Sequence, residues 1–139
     1  MSYADTQYDT RIASAVALTP TGAKGTWPVT GLAKTVRRLT AIVTTTTTAA
    51  DPCILSFDLR PVAGSDAGRV TGGVGTLTIP GGTVAGTVVY KHVNVKLRPG
   101  QEVVVNATDA SAAGVADVGM TVQEDWETPY NIPAMVPSA

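Results

Sequence analysis

His92 is the residue on which most catalytic chemistry would depend, because it is the only histidine in the chain. A Ser-His-Asp or Cys-His arrangement needs an imidazole as its general base. His92 lies in the segment VYKHV, whose composition is typical of a β-strand, and Cys53 is the only cysteine. We therefore interpret His92 as a histidine on the surface or on a sheet face, and we predict that the protein is not an enzyme.

Other sites that could hold a metal or a cofactor are poorly supported by the sequence. One histidine and one cysteine cannot complete the four-ligand set of a structural zinc site in a single chain. Residues 71–76 (TGGVGT) are rich in glycine, but a phosphate-binding loop needs a helix N-terminus behind it, and strand residues follow here. Glu124, Asp125 and Glu127 form either a solvated acidic cluster or a charged interface for a basic partner. We predict no metal and no cofactor.

The charge balance limits the kinds of partner. Ten Lys and Arg residues oppose eleven Asp and Glu residues, which gives a formal net charge of −1. A general nucleic-acid binder needs an excess of cations to neutralise phosphates, so we expect no direct contact with nucleic acid. Lys34, Arg37 and Arg38 form a small basic cluster, either a solvated strand end or a phosphate site. No apolar run approaches the roughly 18–20 residues of a membrane span, and we expect no membrane contact.

The composition predicts an all-β protein. Threonine and valine occupy 21 and 19 of the 139 positions, and β-branched side chains fit a pleated sheet better than a helix. Fourteen glycines and nine prolines provide frequent chain reversals. Arg98-Pro99-Gly100-Gln101 has the Pro-Gly pair of a type II turn. This length corresponds to one domain.

Apolar residues alternate with polar ones in successive short segments, which predicts strands with one face inward. Six to eight antiparallel strands separated by turns are typical of a β-sandwich or a jelly-roll-like barrel. We expect its core to contain Leu39, Leu55, Phe57, Leu59, Leu77, Val93, Val95, Leu97, Val103, Val105, Met120 and Val122.

The two ends of the chain lack this alternation. We predict an extended N-terminal arm over residues 1–12, a sandwich domain over 13–123, and a Pro-rich C-terminal arm over 124–139. Aromatic and apolar residues in poorly periodic segments need a surface to bury against, and Trp is enriched at interface hot spots. Trp27 and Trp126 could equally anchor the core. The candidate interface residues are Tyr3, Tyr8, Trp27, Trp126, Tyr130, Ile132 and Met135.

Three segments carry a resemblance to a known class of proteins. They are residues 75–83 (GTLTIPGGT), residues 86–90 and residues 95–104 (VKLRPGQEVV). Their pattern is a strand, a Pro-Gly turn, and a strand ending in LxPGxEV that is followed by a β-branched strand. Across residues 36–123, the chain resembles the small β-sandwich virion proteins of tailed bacteriophages.

The resemblance implies a capsid decoration (cement) protein. Such a protein is assembled in the host cytoplasm, sits on the capsid surface of the virion, and stabilises the shell by binding the major capsid protein. The resemblance also implies a homo-oligomer, with a trimer favoured, and it carries over no catalytic residue. The alternative is a receptor- or carbohydrate-binding module of a phage tail or fibre, which would need exposed aromatic side chains.

Overall fold

A computed structural model describes residues 7–48, 52–62, 66–110 and 113–124. This part of the chain forms eight β-strands and no helix, which confirms the all-β prediction. The strands are β1 (Gln7–Ala17), β2 (Gly22–Pro28), β3 (Lys34–Thr45), β4 (Cys53–Pro61), β5 (Val70–Ile79), β6 (Val88–Leu97), β7 (Gln101–Ala110) and β8 (Val115–Glu124).

The strands form two four-stranded antiparallel sheets with a distinctive order. Sheet A has the order β1-β8-β3-β6, and sheet B has the order β2-β7-β4-β5. The first strand therefore pairs with the last, the second with the seventh, the third with the sixth and the fourth with the fifth. This is the connectivity of an eight-stranded jelly roll. The fold is a β-sandwich and not a closed barrel, because the two sheets remain separate.

The predicted core is largely correct. Nine of its twelve residues are buried, while Leu59, Val93 and Val95 are partly buried and pack against them. Leu18, Val36 and other apolar residues complete the cluster between the sheets. Period-2 alternation therefore identified the inward side of strands β3 to β8.

The turn at residues 98–101 is also as predicted. Gly100 has a φ of 92°, in the left-handed region that the third position of a type II turn requires. The Gln101 N–H donates to the Arg98 carbonyl at 3.2 Å. The turn carries the chain from β6 in sheet A to β7 in sheet B.

The ends of the sandwich differ from the predicted boundaries. Residues 7–12, assigned above to an N-terminal arm, form the first half of β1 and pair with β8. The strand lies at a sheet edge and most of its side chains are exposed, so it shows no apolar alternation. Glu124, assigned to the C-terminal arm, is the last residue of β8. The remaining arm residues, 1–6 and 125–139, lie outside the described part.

The core makes a direct stability prediction through Phe57, which is 0% exposed in the middle of β4. Replacing Phe57 with Ala removes its apolar contacts and leaves a cavity, so the free energy of unfolding should fall by about 3–5 kcal/mol. The control Val84→Ala, at a side chain 61% exposed, should change it by less than about 0.5 kcal/mol. Urea titrations measure both. A loss below about 1 kcal/mol for Phe57→Ala would contradict this packing.

Candidate functional site

His92 and Cys53 do not form a catalytic pair. His92 lies exposed on β6 in sheet A, as expected for a histidine on a sheet face, while Cys53 is buried in β4 of sheet B. Burial raises the pKa of the Cys53 thiol above its usual value, with a smaller contribution from Asp109. A raised pKa disfavours the thiolate that nucleophilic chemistry requires.

A cluster of buried polar side chains lies on the outer side of sheet B. Alternation along β4 places Ser56 and Asp58 on the side of the strand opposite Leu55 and Phe57, yet both are buried. Arg69 covers Asp58, with its Nη2 atom 2.6 Å from the Asp58 Oδ2 atom. Asp58 Oδ1 also accepts hydrogen bonds from the Ser56 hydroxyl and from the Gly72 N–H. Burial here results from a loop that folds over the sheet, which alternation along one strand cannot reveal.

Two more carboxylates extend this cluster. Arg60 donates to Glu102 at 2.6 Å and to Asp66 at 3.1 Å, and Arg69 also donates to Asp66 at 3.1 Å. The hydrogen bonds from Arg69 and Arg60 lower the pKa of Asp66 below its usual value. Two carboxyl groups can act as an acid–base pair only when their environments hold their pKa values apart. Because each of these carboxylates is held by an arginine, the cluster serves to clamp the loop to the sheet.

The described residues contain no group of three or more His, Cys, Asp or Glu side chains placed to hold a metal ion. The same ranges contain no helix long and apolar enough to cross a membrane. Residues 71–76, the glycine-rich stretch considered above, belong to strand β5.

The three cations of the sequence-predicted basic cluster have separate environments. Lys34 is buried and forms an ion pair with Glu124 at 3.0 Å. Arg37 donates to the side chains of Gln123 and Asn94, both at 3.0 Å. Arg38 lies over the ring of Tyr90. The three therefore do not converge on one phosphate site.

The outer face of sheet A carries an exposed apolar stripe. Ile42 pairs with Val88 across strands β3 and β6, and Thr40 pairs with Tyr90. Tyr90 is 55% exposed, Val88 48% and Ile42 39%. The Arg38 guanidinium carbon lies 5.6 Å from the centre of the Tyr90 ring. We call Arg38, Ile42, Val88 and Tyr90 the outer-face stripe.

The Arg38 side chain contains a nitrogen that has no hydrogen-bond partner. Among the described residues, its Nε atom is the buried side-chain nitrogen without one. On the same face, the Asp117 carboxylate accepts from the Ala15 N–H at 2.7 Å and Asp9 accepts from the Thr121 hydroxyl at 2.6 Å. An unpaired buried donor is uncommon in folded proteins. Because this nitrogen is covered by the chain itself, the contact that the Arg38 guanidinium does make is the one with the Tyr90 ring.

A groove of about 550 Å³ runs beside the stripe. Gly119 forms part of its floor, and a Cβ atom there would come within 2.5 Å of the Thr10 carbonyl oxygen. Only glycine therefore allows β1 to lie this close to β8. The walls include Asp9, Arg11, Arg38, Ile42, Val88 and Asp117.

Two of the predicted interface residues, Tyr8 and Trp27, meet at a second cleft. Tyr8 lies on β1 at the edge of sheet A, and Trp27 lies on β2 at the edge of sheet B. Trp27 is partly buried against the core, and Tyr8 is 37% exposed. The cleft between them has a volume of about 420 Å³. We call it the mouth cleft, and its lining includes Tyr8, Trp27, Pro28, Leu32, Lys34 and Glu124.

The polar groups of the mouth cleft are tightly paired. Lys34 Nζ donates to the carbonyls of Thr30 and Leu32, at 2.9 and 3.1 Å, and to Glu124. The Tyr8 hydroxyl donates to Glu124 at 3.3 Å. Partial burial raises the pKa of Tyr8, and the negative charge of Glu124 raises it further. The cleft is therefore electrically neutral, with one carboxylate at its rim.

The other predicted interface residues lie outside the described part of the chain. These are Tyr3, Trp126, Tyr130, Ile132 and Met135. The outer-face stripe was not predicted from the sequence, although a signal was present. Ile42 and Tyr90 are large residues on the face of their strands opposite the core residues. Comparison with known proteins gave no matching family, no similar curated protein and no similar solved structure.

The clamp over sheet B makes a prediction about Arg69. Replacing it with Met leaves the buried Asp58 carboxylate without its charged partner, so the free energy of unfolding should fall by about 1–3 kcal/mol. Arg11→Met is the control, because the Arg11–Asp117 pair is 3.8 Å long and the Arg11 side chain is 60% exposed. This control should lower the free energy of unfolding by about 0.5 kcal/mol or less. Equal losses for the two variants in urea titrations would refute the clamp.

Proposed function

We propose that this protein is a non-enzymatic structural protein of a bacteriophage virion, which decorates and stabilises the capsid by binding the major capsid protein. It would be assembled in the host cytoplasm and occupy the capsid surface. The resemblance of residues 36–123 to phage virion proteins suggests this role, and the chemistry of one surface supports it.

The outer-face stripe is the observation that carries the proposal. The solvent-facing side of a sheet in a monomer is normally polar, whereas here Ile42, Val88 and Tyr90 are exposed side by side. Tyrosine and arginine are enriched at protein interfaces, and the stripe combines Tyr90 with Arg38. The Arg38 guanidinium carbon lies 5.6 Å from the centre of the Tyr90 ring, so the two side chains form one contiguous part of the stripe. These features suit docking onto a protein surface.

The connectivity of the sandwich agrees with this proposal without deciding it. Eight-stranded jelly rolls occur in viral capsid proteins, and also in lectins and cupins. One fold supports many functions, so the role must be argued from the surface that makes contact. A rigid two-sheet body suits a protein that works by holding a docking face in a fixed shape.

The first test measures binding to undecorated shells of the virus that encodes the protein. Tyr90→Ala removes the largest side chain of the outer-face stripe, so it should weaken saturable binding by about tenfold or more. Val84→Ala is the control, because it also removes an exposed apolar side chain but lies outside the stripe. Equal binding by the two variants would show that the stripe is not part of the interface. If the natural chain did not bind the shells, the proposed function would be refuted.

We further propose that the protein forms a homo-oligomer, with a trimer favoured, and that its arms contribute to attachment. Edge strands β5 and β6 offer unpaired backbone groups that neighbouring chains can use. Deleting residues 127–139 should leave the melting temperature unchanged and weaken shell binding. Sedimentation equilibrium should show the full chain above its 14.2 kDa monomer mass. A large loss of stability on deletion would instead assign these residues to the folded domain.

A further inference from the structure

We propose that the mouth cleft binds a short neutral saccharide, with Tyr8 and Trp27 as the residues on which the sugar rings stack. This inference is independent of the proposed function, because the outer-face stripe and the mouth cleft are different surfaces. It also gives Tyr8 and Trp27 a different role from the protein interface that the sequence suggests.

The size and lining of the cleft suit a small ligand. Its volume of about 420 Å³ lies within the roughly 300–1,000 Å³ that small-molecule sites occupy. Tyr8 and Trp27 line it from the edges of different sheets. Sugar rings present apolar C–H faces as well as hydroxyl groups, so aromatic side chains can bury the former while polar groups bind the latter.

The electrostatics favour a neutral ligand over an anion. The three N–H groups of Lys34 are occupied by the carbonyls of Thr30 and Leu32 and by Glu124, so this cation has no free donor for a phosphate or a carboxylate. The Glu124 carboxylate, whose charge is neutralised by Lys34, offers a ligand acceptors and no donor. It accepts from Tyr8 and Lys34, and a carboxylate has about four lone-pair sites, so it can also accept from a ligand hydroxyl.

The backbone of one wall disfavours an extended peptide. A peptide that adds a strand to a sheet needs free N–H and carbonyl groups along the edge. Pro28 has no N–H, the Val29 N–H donates to Gln101, and the carbonyls of Thr30 and Leu32 accept from Lys34. The wall can therefore recognise a ligand mainly through side chains. Thr10 and Thr30, which also line the cleft, have hydroxyl groups of the kind that bind sugar hydroxyls.

The test begins with the full-length protein on an array of neutral and acidic glycans. We expect binding to neutral glycans, and each neutral glycan that binds is then titrated in solution. The fluorescence of Trp27 reports binding when Trp126→Phe removes the second tryptophan. Binding to acidic glycans alone, or to no glycan, would overturn the proposal. The proposal would also be overturned if a synthetic peptide of residues 125–139 bound the cleft and no glycan did.

Variants of Tyr8 test whether binding occurs in the mouth cleft. Tyr8→Ala should weaken the affinity about tenfold or more, while Tyr90→Ala, which removes an exposed ring outside the cleft, should leave it unchanged. Tyr8→Phe keeps the ring and should stay within about threefold of the natural chain. Tyr8→Leu keeps an apolar side chain without an aromatic face, and it should bind as weakly as Tyr8→Ala. Thermal melts show that each variant is folded.

An unchanged affinity in Tyr8→Ala or in Tyr8→Leu would overturn the assignment of the cleft. Measurements of shell binding distinguish a failure of this proposal from a failure of the proposed function. Tyr8→Ala should attach to undecorated shells like the natural chain, and Tyr90→Ala should still bind the glycan. Either proposal can therefore fail while the other stands.

Discussion

The whole sandwich depends on the insertion of β7 and β8 between strands from the first half of the chain. β8 pairs with β1 on one side and β3 on the other, and β7 pairs in the same way with β2 and β4. Neither sheet is continuous without its late strand, because these are inner strands in both sheets. Hydrogen bonding and apolar burial therefore depend on the same two strands, since β7 and β8 complete the ladders and also contribute Val103, Val105, Met120 and Val122 to the core.

The same constraint determines where the candidate binding surfaces lie. With β7 and β8 inside, β1 and β2 become edges, and Tyr8 and Trp27 on these two edges line the mouth cleft. The end of β8 supplies Glu124 to this cleft, and Lys34 at the start of β3 neutralises it. On the outer side of sheet A, the pairing of β3 with β6 aligns Ile42 with Val88 and Thr40 with Tyr90. Both surfaces therefore combine residues that are far apart in the sequence.

The sequence predicts what is local and misses what depends on strand pairing. Alternation identified the inward faces of β4 and β7, and the Pro-Gly pair identified the turn before Gln101. Both patterns involve only residues that are neighbours in the sequence. The first half of strand β1 was missed because an exposed edge strand needs no apolar period. The burial of Asp58 was missed because Arg69 reaches it from a loop eleven residues away. The outer-face stripe was missed because its residues become neighbours only through the pairing register between β3 and β6. Tyr8 and Trp27 were singled out as candidate interface residues, but the sequence could not show that they share a cleft.

Strand β1 links the two surfaces, because successive side chains of a strand point to opposite faces. Tyr8 lines the mouth cleft, while Asp9 and Arg11 line the groove beside the outer-face stripe. The strand is held by β8, and Gly119 permits the close approach of its backbone at Thr10. Its bulges beyond Arg11 interrupt the ladder, and irregular edges of this kind discourage pairing with another sheet. An edge that is protected from strand addition in this way is better suited to contacts made by side chains. On one side of β1 these side chains offer an aromatic ring beside a carboxylate, and on the other they offer charges beside an apolar stripe. One strand thus divides a surface suited to a neutral polar ligand from a surface suited to a protein.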